Sequence, residues 1–275
     1  MSSRWYVLRS KPHKESFLYG QLRAHKIESY CPVINANPVN PRARKKKPLF
    51  PGYIFIHIDL SEIEISSLPD QDWTRAWMDA FKPMQFGKRL WVCPKHIEPP
   101  DPLAVNLRLD PGLAFGTGTH PTTSLCLRWL DTHVSPQSGY RNVLDYGCGS
   151  GILAVAAIML GAESADCVDI DEQALQATRG NAEANQVLPR ISTCQPPELE
   201  ASREYELVLA NILSGPLTEL APVLAKHCRA GGDIVLSGIL SDQAEAVRMA
   251  SSGFFNMTTT ETLDDWVLLH GKRNA

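Results

Sequence analysis

Three glycines and one carboxylate in the middle of the 275-residue chain are of the residue types that hold a nucleotide-like ligand. Gly147, Gly149 and Gly151 follow a short apolar run and precede a longer one at residues 152–160. Glycine lets the backbone turn tightly and approach a ligand at the carboxyl end of a strand. Asp169 stands 22 residues after Gly147, where its carboxylate can accept hydrogen bonds from both hydroxyls of a ribose.

The glycine spacing separates two kinds of nucleotide cofactor. Dinucleotide-binding turns follow the pattern Gly-x-Gly-x-x-Gly, whereas here the third glycine comes one residue earlier and Ile152 occupies the expected place. This turn, with Asp145 two residues before its first glycine, resembles the pattern of class I methyltransferases, which use S-adenosylmethionine. Asp145 near the ammonium or sulfonium group of that cofactor would offset its positive charge. A tight strand-to-helix turn without a ligand is the alternative interpretation.

Asn211 is the candidate catalytic residue. It ends an apolar run and is predicted at the carboxyl end of a strand, beside the same crevice. Methyl transfer is an in-line displacement, so the protein has to hold the lone pair of the nucleophile about 3 Å from the methyl carbon. The side-chain oxygen of Asn211 can accept an N–H bond from an amine, and a desolvated pocket lowers the pKa of a lysine from about 10.4. No general base is obvious, and an ordinary strand-end asparagine that bonds a turn is the alternative.

A second glycine-rich run, at residues 110–124, precedes an amphipathic helix. Thr119 or Thr122 is predicted to cap this helix, with Pro121 near its first turn. A well-capped helix start is the structural interpretation. The functional interpretation places residues 115–123 over the cofactor, where Thr123 donates a hydroxyl hydrogen bond. The further cofactor-binding candidates in this run are Phe115, Gly116 and Thr117.

Short apolar runs alternate with helical patterns from residue 142 onward, and they predict the elements that position these residues. Strict alternation of strand and helix indicates a parallel sheet covered on both faces. Two strand-like runs end the chain, so we expect a hairpin that adds an antiparallel strand at the sheet edge. The predicted fold class is α/β, a doubly wound, mostly parallel sheet with a small α+β N-terminal domain. The predicted strands are residues 143–146, 165–170, 191–195, 207–212, 234–237, 257–262 and 266–270, and the predicted helices are residues 153–160, 172–184, 217–227 and 241–251.

Charge divides the chain into two parts. Residues 1–60 contain eleven Lys and Arg against three Asp and Glu, a net charge of +8, whereas the remainder has a net charge of −11. The predicted division is an N-terminal α+β segment at 1–60, a linker and bridging segment at 61–106 and, as the resemblance to class I methyltransferases implies, a methyltransferase domain at 107–275. Within the first segment, strands are predicted at residues 5–8 and 53–58 and a helix at residues 11–27. Within the bridging segment, a helix is predicted at residues 73–81 and a strand at residues 89–93.

A basic run in the N-terminal segment is a candidate contact for nucleic acid, the transcription machinery or an acidic partner, because such runs contribute salt-dependent phosphate binding. A mobile, merely solvated loop is the alternative interpretation. The residues of this run are Arg42, Arg44, Lys45, Lys46 and Lys47.

Cysteine usage and hydropathy narrow the class of protein. The seven cysteines include no Cys-x-x-Cys pair and no histidine at ligand spacing, so neither a zinc site nor a disulfide framework is indicated. The longest apolar run, residues 152–160, is far shorter than the roughly 20 residues of a membrane span. The sequence therefore predicts a cytoplasmic protein with reduced thiols and no bound metal.

Residues 69–273 resemble the PrmA family, the methyltransferases of ribosomal large-subunit protein eleven. The resemblance rests on Phe-Gly-Thr-Gly-Thr-His-Pro-Thr-Thr at residues 115–123, Ala-Asn-Ile-Leu at 210–213 and the shorter runs at 77–84 and 237–240. It implies S-adenosylmethionine-dependent trimethylation of lysine side chains and of an N-terminal amine on that ribosomal protein. The cofactor contacts that it implies are Thr123, Gly147, Asp169 and Asn211.

Residues 1–60 instead resemble a truncated N-terminal domain of the NusG and RfaH transcription elongation factors. The run Trp-Tyr-Val-Leu at residues 5–8 and the run at residues 47–56 carry this resemblance. A natural fusion, an engineered chimera and a misassembled reading frame all fit the combination.

Two further functions remain open beside protein amine methylation. One is a transcription-associated binding module whose methyltransferase domain has lost or changed its substrate, because a replaced recognition domain removes binding energy that positions the acceptor. The other is methylation of an amino group on a nucleic-acid base. Ile212 and Leu213 follow Asn211 in place of an aromatic residue, and they suit the alkyl stem of a lysine better than a flipped base.

Overall fold

The computed structural model describes residues 4–9, 18–19, 22–23, 27–35, 46–48, 53–59, 82–109 and 118–274. The chain forms two compact units, Met1–Gln71 and Asp72–Ala275. Each unit has its own sheet and its own apolar core. The division into functional segments at 1–60, 61–106 and 107–275 stays a prediction.

The smaller unit contains an antiparallel sheet of order β1-β5-β2 and a separate hairpin of β3 and β4. Its core includes the buried Leu22, Ile54 and Ile56. Both strands predicted in this unit are confirmed, and residues 18–19 and 22–23 of the predicted helix are helical. The strands are β1 Arg4–Arg9, β2 Glu28–Tyr30, β3 Val33–Asn35, β4 Lys46–Pro48 and β5 Tyr53–Ile58.

The basic run falls partly on β4. Arg42, Arg44 and Lys45 lie outside the described residues. Lys46 and Lys47 pair with Asn35 and Ile34, so the prediction of a loop is wrong for these two lysines. The backbone there is extended because it pairs with β3, whose Val33 and Ile34 are β-branched and favour strands.

The larger unit contains a seven-stranded sheet of order β11-β10-β9-β12-β13-β15-β14. Neighbours from β11 to β13 are parallel, and β15 is antiparallel to both β13 and β14. The predicted mostly parallel α/β sheet is confirmed, although the antiparallel strand β15 lies one place in from the edge and β14 forms the edge. The strands are β9 Asn142–Tyr146, β10 Ser164–Val168, β11 Ile191–Cys194, β12 Tyr205–Asn211, β13 Cys228–Leu240, β14 Phe255–Leu263 and β15 Trp266–Arg273.

Helices cover both faces of this sheet, as predicted. Leu207 and Leu209 of β12 belong to one apolar cluster, whereas Val208 and Ala210 belong to another. Because side chains alternate along a strand, the two clusters lie on opposite faces. The first cluster includes residues of α1, α2 and α3 and the second includes residues of α4 and α5. The helices are α1 Pro121–His133, α2 Ile152–Leu160, α3 Glu172–Ala184, α4 Ser214–His227 and α5 Ala244–Ser251.

A three-stranded sheet of β6 Met84–Phe86, β7 Leu90–Pro94 and β8 Val105–Leu109 packs beside the main sheet. Only β7 was predicted from the sequence. The buried carboxylate of Asp131 on α1 accepts hydrogen bonds from the backbone of Lys88 at 2.7 Å and of Arg89 at 2.9 Å, which ties the β6–β7 turn to the helix. A helix predicted at residues 73–81 lies outside the described residues.

No helix among the described residues is long and apolar enough to cross a membrane.

Candidate active site

The strand order reverses beside β9, which has β10 on one side and β12 on the other. In open α/β sheets, ligands bind outside the carboxyl ends of the strands at such a point. The carboxyl ends of β9 and β12 carry Asp145 and Asn211, and Asp169 directly follows β10. The topology therefore brings three residues predicted for one site to the same edge of the sheet.

The glycine turn between β9 and α2 requires glycine for conformation as well as for space. Gly147, Gly149 and Gly151 have φ values of 80°, 55° and 73°, in the left-handed region that favours glycine. A Cβ atom on Gly147 would overlap the Cγ2 atom of Ile212. The carbonyl of Val168 accepts hydrogen bonds from the backbone of Gly147 at 2.7 Å, so the turn is fixed against the end of β10.

Asp169 joins this glycine turn to the start of α3. Its Oδ2 atom accepts a hydrogen bond from the backbone of Gly149 at 3.0 Å, and its Oδ1 atom accepts one from Asp171 at 3.0 Å. Each carboxylate oxygen can accept a further bond. The side chain is half-buried, so its orientation is fixed while its remaining acceptor positions stay open to a ligand with two neighbouring hydroxyls.

Asp145 lies beneath the turn and is 1% exposed. Its Oδ2 atom accepts a hydrogen bond from the backbone of Ala154 at 3.1 Å, in the first turn of α2. Its Oδ1 atom is buried and has no hydrogen-bond partner among the described residues. Burial raises the pKa of Asp145 to about 7, the bond from Ala154 lowers it, and the nearby charge of Asp169 raises it further. At neutral pH the carboxyl group is therefore present in both its neutral and its charged form.

Because this pKa is raised in the folded state, the free energy of unfolding should depend on pH. Asp145→Asn should remove that dependence. The folded state binds the proton more tightly than the unfolded chain, whose pKa is about 3.8, so the contribution of Asp145 to stability is fully present below pH 3.8 and is lost as the pH rises through 7. At pH 8 we expect the free energy of unfolding of Asp145→Asn to exceed that of the unsubstituted protein by an amount on the order of a few kcal/mol, so that the variant unfolds at a higher temperature. At pH 5 the difference should be smaller. Thermal unfolding without cofactor measures this, with the exposed Asp242→Asn as the control. A difference between the proteins that does not grow from pH 5 to pH 8 would contradict it.

Asn211 is tied to α1 through the predicted site residue Thr123. Its Nδ2 atom donates to Thr123 Oγ1 at 3.3 Å, and Thr123 is fully buried. In this orientation the amide nitrogen donates to the hydroxyl oxygen, and the amide oxygen is directed away from Thr123. The Oδ1 atom of Asn211 is buried and has no hydrogen-bond partner among the described residues. Such an atom is a strong candidate to accept a bond from a ligand.

A cavity of about 360 Å³ opens beside Asn211, over the carboxyl ends of β12 and β13 and the start of β15. A bulge in β13 shapes it, since the pairing of β13 with β15 shifts register between Leu236 and Ile239. Gly238 in this bulge has a φ of 85°, and a Cβ atom there would overlap the backbone of Ile212. The cavity is lined by His120, Thr122, Asn211, Ile212, Leu213, Gly238 and Trp266.

His120 is the cap of α1, and the predicted capping by Thr119 or Thr122 is wrong. The His120 Nδ1 atom accepts a hydrogen bond from the backbone of Thr122 at 3.3 Å and lies 2.8 Å from the Thr122 hydroxyl. Histidine is not among the usual capping residues, so the sequence alone favours the threonines. Pro121 begins the helix as predicted. Phe115, Gly116 and Thr117 lie outside the described residues, so their assignment to the cofactor stays a prediction.

Comparison with known proteins gives one consistent result. The family model for ribosomal protein L11 methyltransferase (PrmA) matches residues 27–274. The ribosomal protein L11 methyltransferase of Hahella chejuensis is 54% identical over 216 residues, 78% of this chain and 73% of its own length. That of Pseudomonas aeruginosa is 52% identical over 218 residues, 79% of this chain and 73% of its own. The crystal structure of ribosomal protein L11 methylase from Lactobacillus delbrueckii subsp. bulgaricus has a TM-score of 0.64 and 29% identity, and covers 71% of this chain and 100% of its own.

These matches confirm the predicted enzyme class, an S-adenosylmethionine-dependent methyltransferase, and the predicted PrmA resemblance. The family match begins at residue 27, inside the segment at residues 1–60 for which a resemblance to NusG and RfaH is predicted, and it does not support that prediction. With 248 of the 275 residues inside the match, the chain belongs to the PrmA family of ribosomal protein L11 methyltransferases.

Proposed function

We propose that this chain methylates amino groups of ribosomal protein L11, with Asn211 as the residue that aligns the acceptor amine. The observation that carries the proposal is the buried Oδ1 atom of Asn211, which has no partner among the described residues and belongs to a side chain that lines the cavity. The similar proteins of Hahella chejuensis and Pseudomonas aeruginosa are both named ribosomal protein L11 methyltransferase.

The residues around the glycine turn fit the methyl donor. Asp169 keeps acceptor positions for ribose hydroxyls, and Gly147 and Gly149 offer backbone without side chains at the same edge of the sheet. Asp145 contributes a buried carboxyl oxygen without a partner among the described residues, which suits a cationic group. When bound, S-adenosylmethionine supplies a methyl group on a positively charged sulfur. Thr123 supports the site through its bond with Asn211, and Gly151 completes the glycine turn.

Asn211 orients the acceptor by accepting one of its N–H bonds at Oδ1. The bond from Nδ2 to Thr123 restricts rotation of the amide, so the amine is held in one direction and its lone pair can be aimed at the methyl group. Ile212 and Leu213 line the same cavity and offer an apolar surface for the alkyl stem of a lysine. Apolar surroundings also favour the neutral amine over the ammonium ion, and the neutral amine is the nucleophile.

A labelling experiment tests the acceptor. The protein is incubated with methyl-labelled S-adenosylmethionine and, in separate reactions, with free ribosomal protein L11, large ribosomal subunits, RNA or buffer. We expect label on amino groups of ribosomal protein L11, located by mass spectrometry of its peptides. The Asn211→Ala variant in the same reactions is the control for contaminating activity. Label on RNA with none on ribosomal protein L11 would overturn the proposal in favour of a nucleic-acid amino methyltransferase.

The N-terminal segment adds a second proposal about partners. Residues 1–60 have a net charge of +8, which favours contact with a polyanion, and we propose that Arg42, Arg44, Lys45, Lys46 and Lys47 supply it. Such binding weakens as salt rises, because condensed ions are released on association. Fluorescence anisotropy with single-stranded RNA at low salt tests the proposal, and an absence of binding there would remove it.

A further inference from the structure

One wall of the cavity is aromatic. Trp266 and His120 both line it, and their ring centroids lie 4.9 Å apart at an interplanar angle of 69°. Trp266 is the first residue of β15 and pairs with Leu240 and Leu263 on either side. The preceding turn is also tied down, since the carbonyl of Asp265 accepts a hydrogen bond from the backbone of Ser241 at 2.9 Å. The sheet thus fixes the backbone that carries the indole beside the cavity.

The wall offers aromatic surface. The backbone N–H of Thr122 can only donate, so the His120 Nδ1 atom that it contacts is the acceptor of this bond. The described residues that line the cavity include no Lys, Arg, Asp or Glu. A cation that enters therefore meets the face or edge of two rings and the amide of Asn211, and none of the described lining residues offers it an ionic partner.

Methylation changes what an amine can offer such a cavity. Each transfer forms one N–C bond and breaks one sulfur–methyl bond, whose electron pair remains on the sulfur. The acceptor ammonium loses one proton to water before each transfer, so every added methyl group replaces one N–H donor. The product is still a cation but depends less on hydrogen bonds and more on apolar and cation–π contacts. The cavity has the surface for this product, since its lining combines an indole with aliphatic side chains.

We propose that Trp266 binds the methylated ammonium group of the acceptor, so that one nitrogen can be methylated repeatedly. This inference rests on the proposed function, because it concerns the acceptor of the same reaction. In the first transfer the acceptor nitrogen is held mainly by Asn211, because the amine still has N–H bonds to donate. In the later transfers it is held mainly by Trp266, because the methylated nitrogen has few N–H bonds or none.

Two substitutions separate these contributions. Trp266→Leu removes the aromatic face and keeps an apolar side chain, whereas Trp266→Phe keeps a smaller aromatic face. We expect Trp266→Leu to slow the second and third transfers to ribosomal protein L11 by roughly tenfold relative to the first, with monomethylated product accumulating, and Trp266→Phe to lie between. Mass spectrometry of the product over time resolves the methylation states. Affinity for S-adenosylhomocysteine and thermal unfolding check that each variant is folded.

The outcomes distinguish this inference from the proposed function. If the unsubstituted protein transfers no methyl group to ribosomal protein L11, the proposed function itself fails. If it does and Trp266→Leu slows every transfer equally, or changes none, only the role of Trp266 is overturned.

A binding measurement tests the contact without turnover. The indole N–H signal of Trp266 is assigned by its absence from the spectrum of the Trp266→Phe variant. With saturating S-adenosylhomocysteine, we expect trimethyllysine amide to shift this signal at concentrations at which a neutral analogue, with carbon in place of the ammonium nitrogen, does not. A signal that responds equally to both compounds, or to neither, would overturn the proposal.

Discussion

Asn211→Ala is expected to lower kcat for methylation of ribosomal protein L11 by roughly a hundredfold, the scale of effect that loss of substrate alignment produces. The substitution removes the buried acceptor Oδ1 and the bond that ties β12 to Thr123 on α1. Affinity for S-adenosylhomocysteine is expected to change by less than about threefold, because the glycine turn and Asp169 do not depend on this amide. Steady-state kinetics and isothermal titration calorimetry measure the two quantities.

Asn256→Ala is the matched control, because Asn256 is exposed on the edge strand β14. It is expected to leave both quantities unchanged. A second variant, Asn211→Asp, retains an acceptor oxygen of the same size and should keep more activity than the alanine variant. An Asn211→Ala protein with near-normal turnover would show that another group orients the amine.

Asp169→Ala is expected to weaken binding of S-adenosylhomocysteine by roughly a hundredfold, equivalent to two hydrogen bonds to a charged group. The carboxylate would no longer accept bonds from the ribose hydroxyls. It would also no longer hold the backbone of Gly149, so the glycine turn would lose part of its order. Calorimetry with the purified variant gives the dissociation constant directly.

Asp171→Ala provides a control for the charge and for the local fold. The Asp171 side chain caps α3 by accepting a hydrogen bond from the backbone of Gln173 at 2.9 Å. Its loss is expected to lower stability by about 1 kcal/mol, as for other helix caps, with little change in affinity. Equal losses of affinity in the Asp169 and Asp171 variants would contradict a specific role for Asp169.

The sheet of the larger unit was predictable from sequence because its strands are buried on both faces. Continuous apolar runs such as those in β9 and β12 follow from that burial. In the helices between them, the apolar residues recur with the different spacing of a helix. The glycine turn was predictable as well, since three closely spaced glycines between a strand and a helix restrict the backbone. These patterns are local, because each can be recognised within a short stretch of sequence.

The cavity was not predictable, because residues distant in sequence form it. Trp266 contacts His120, and a glycine at 238 is needed because Ile212 lies against it. No periodicity links such positions. The available signals were Gly238 within the strand-like run of β13, which often marks a bulge, and a tryptophan directly after the Asp264-Asp265 turn. Strand β8 was also missed, although its buried Leu107 and Leu109 alternate with less buried neighbours.

A crystal structure of the protein with S-adenosylhomocysteine bound tests the proposed site most directly. We expect the ribose hydroxyls to bond the carboxylate of Asp169, the glycine turn to contact the ligand, and the sulfur to face the Oδ1 atom of Asn211. A ligand bound elsewhere, or bound here with its sulfur directed away from Asn211, would contradict the central claim.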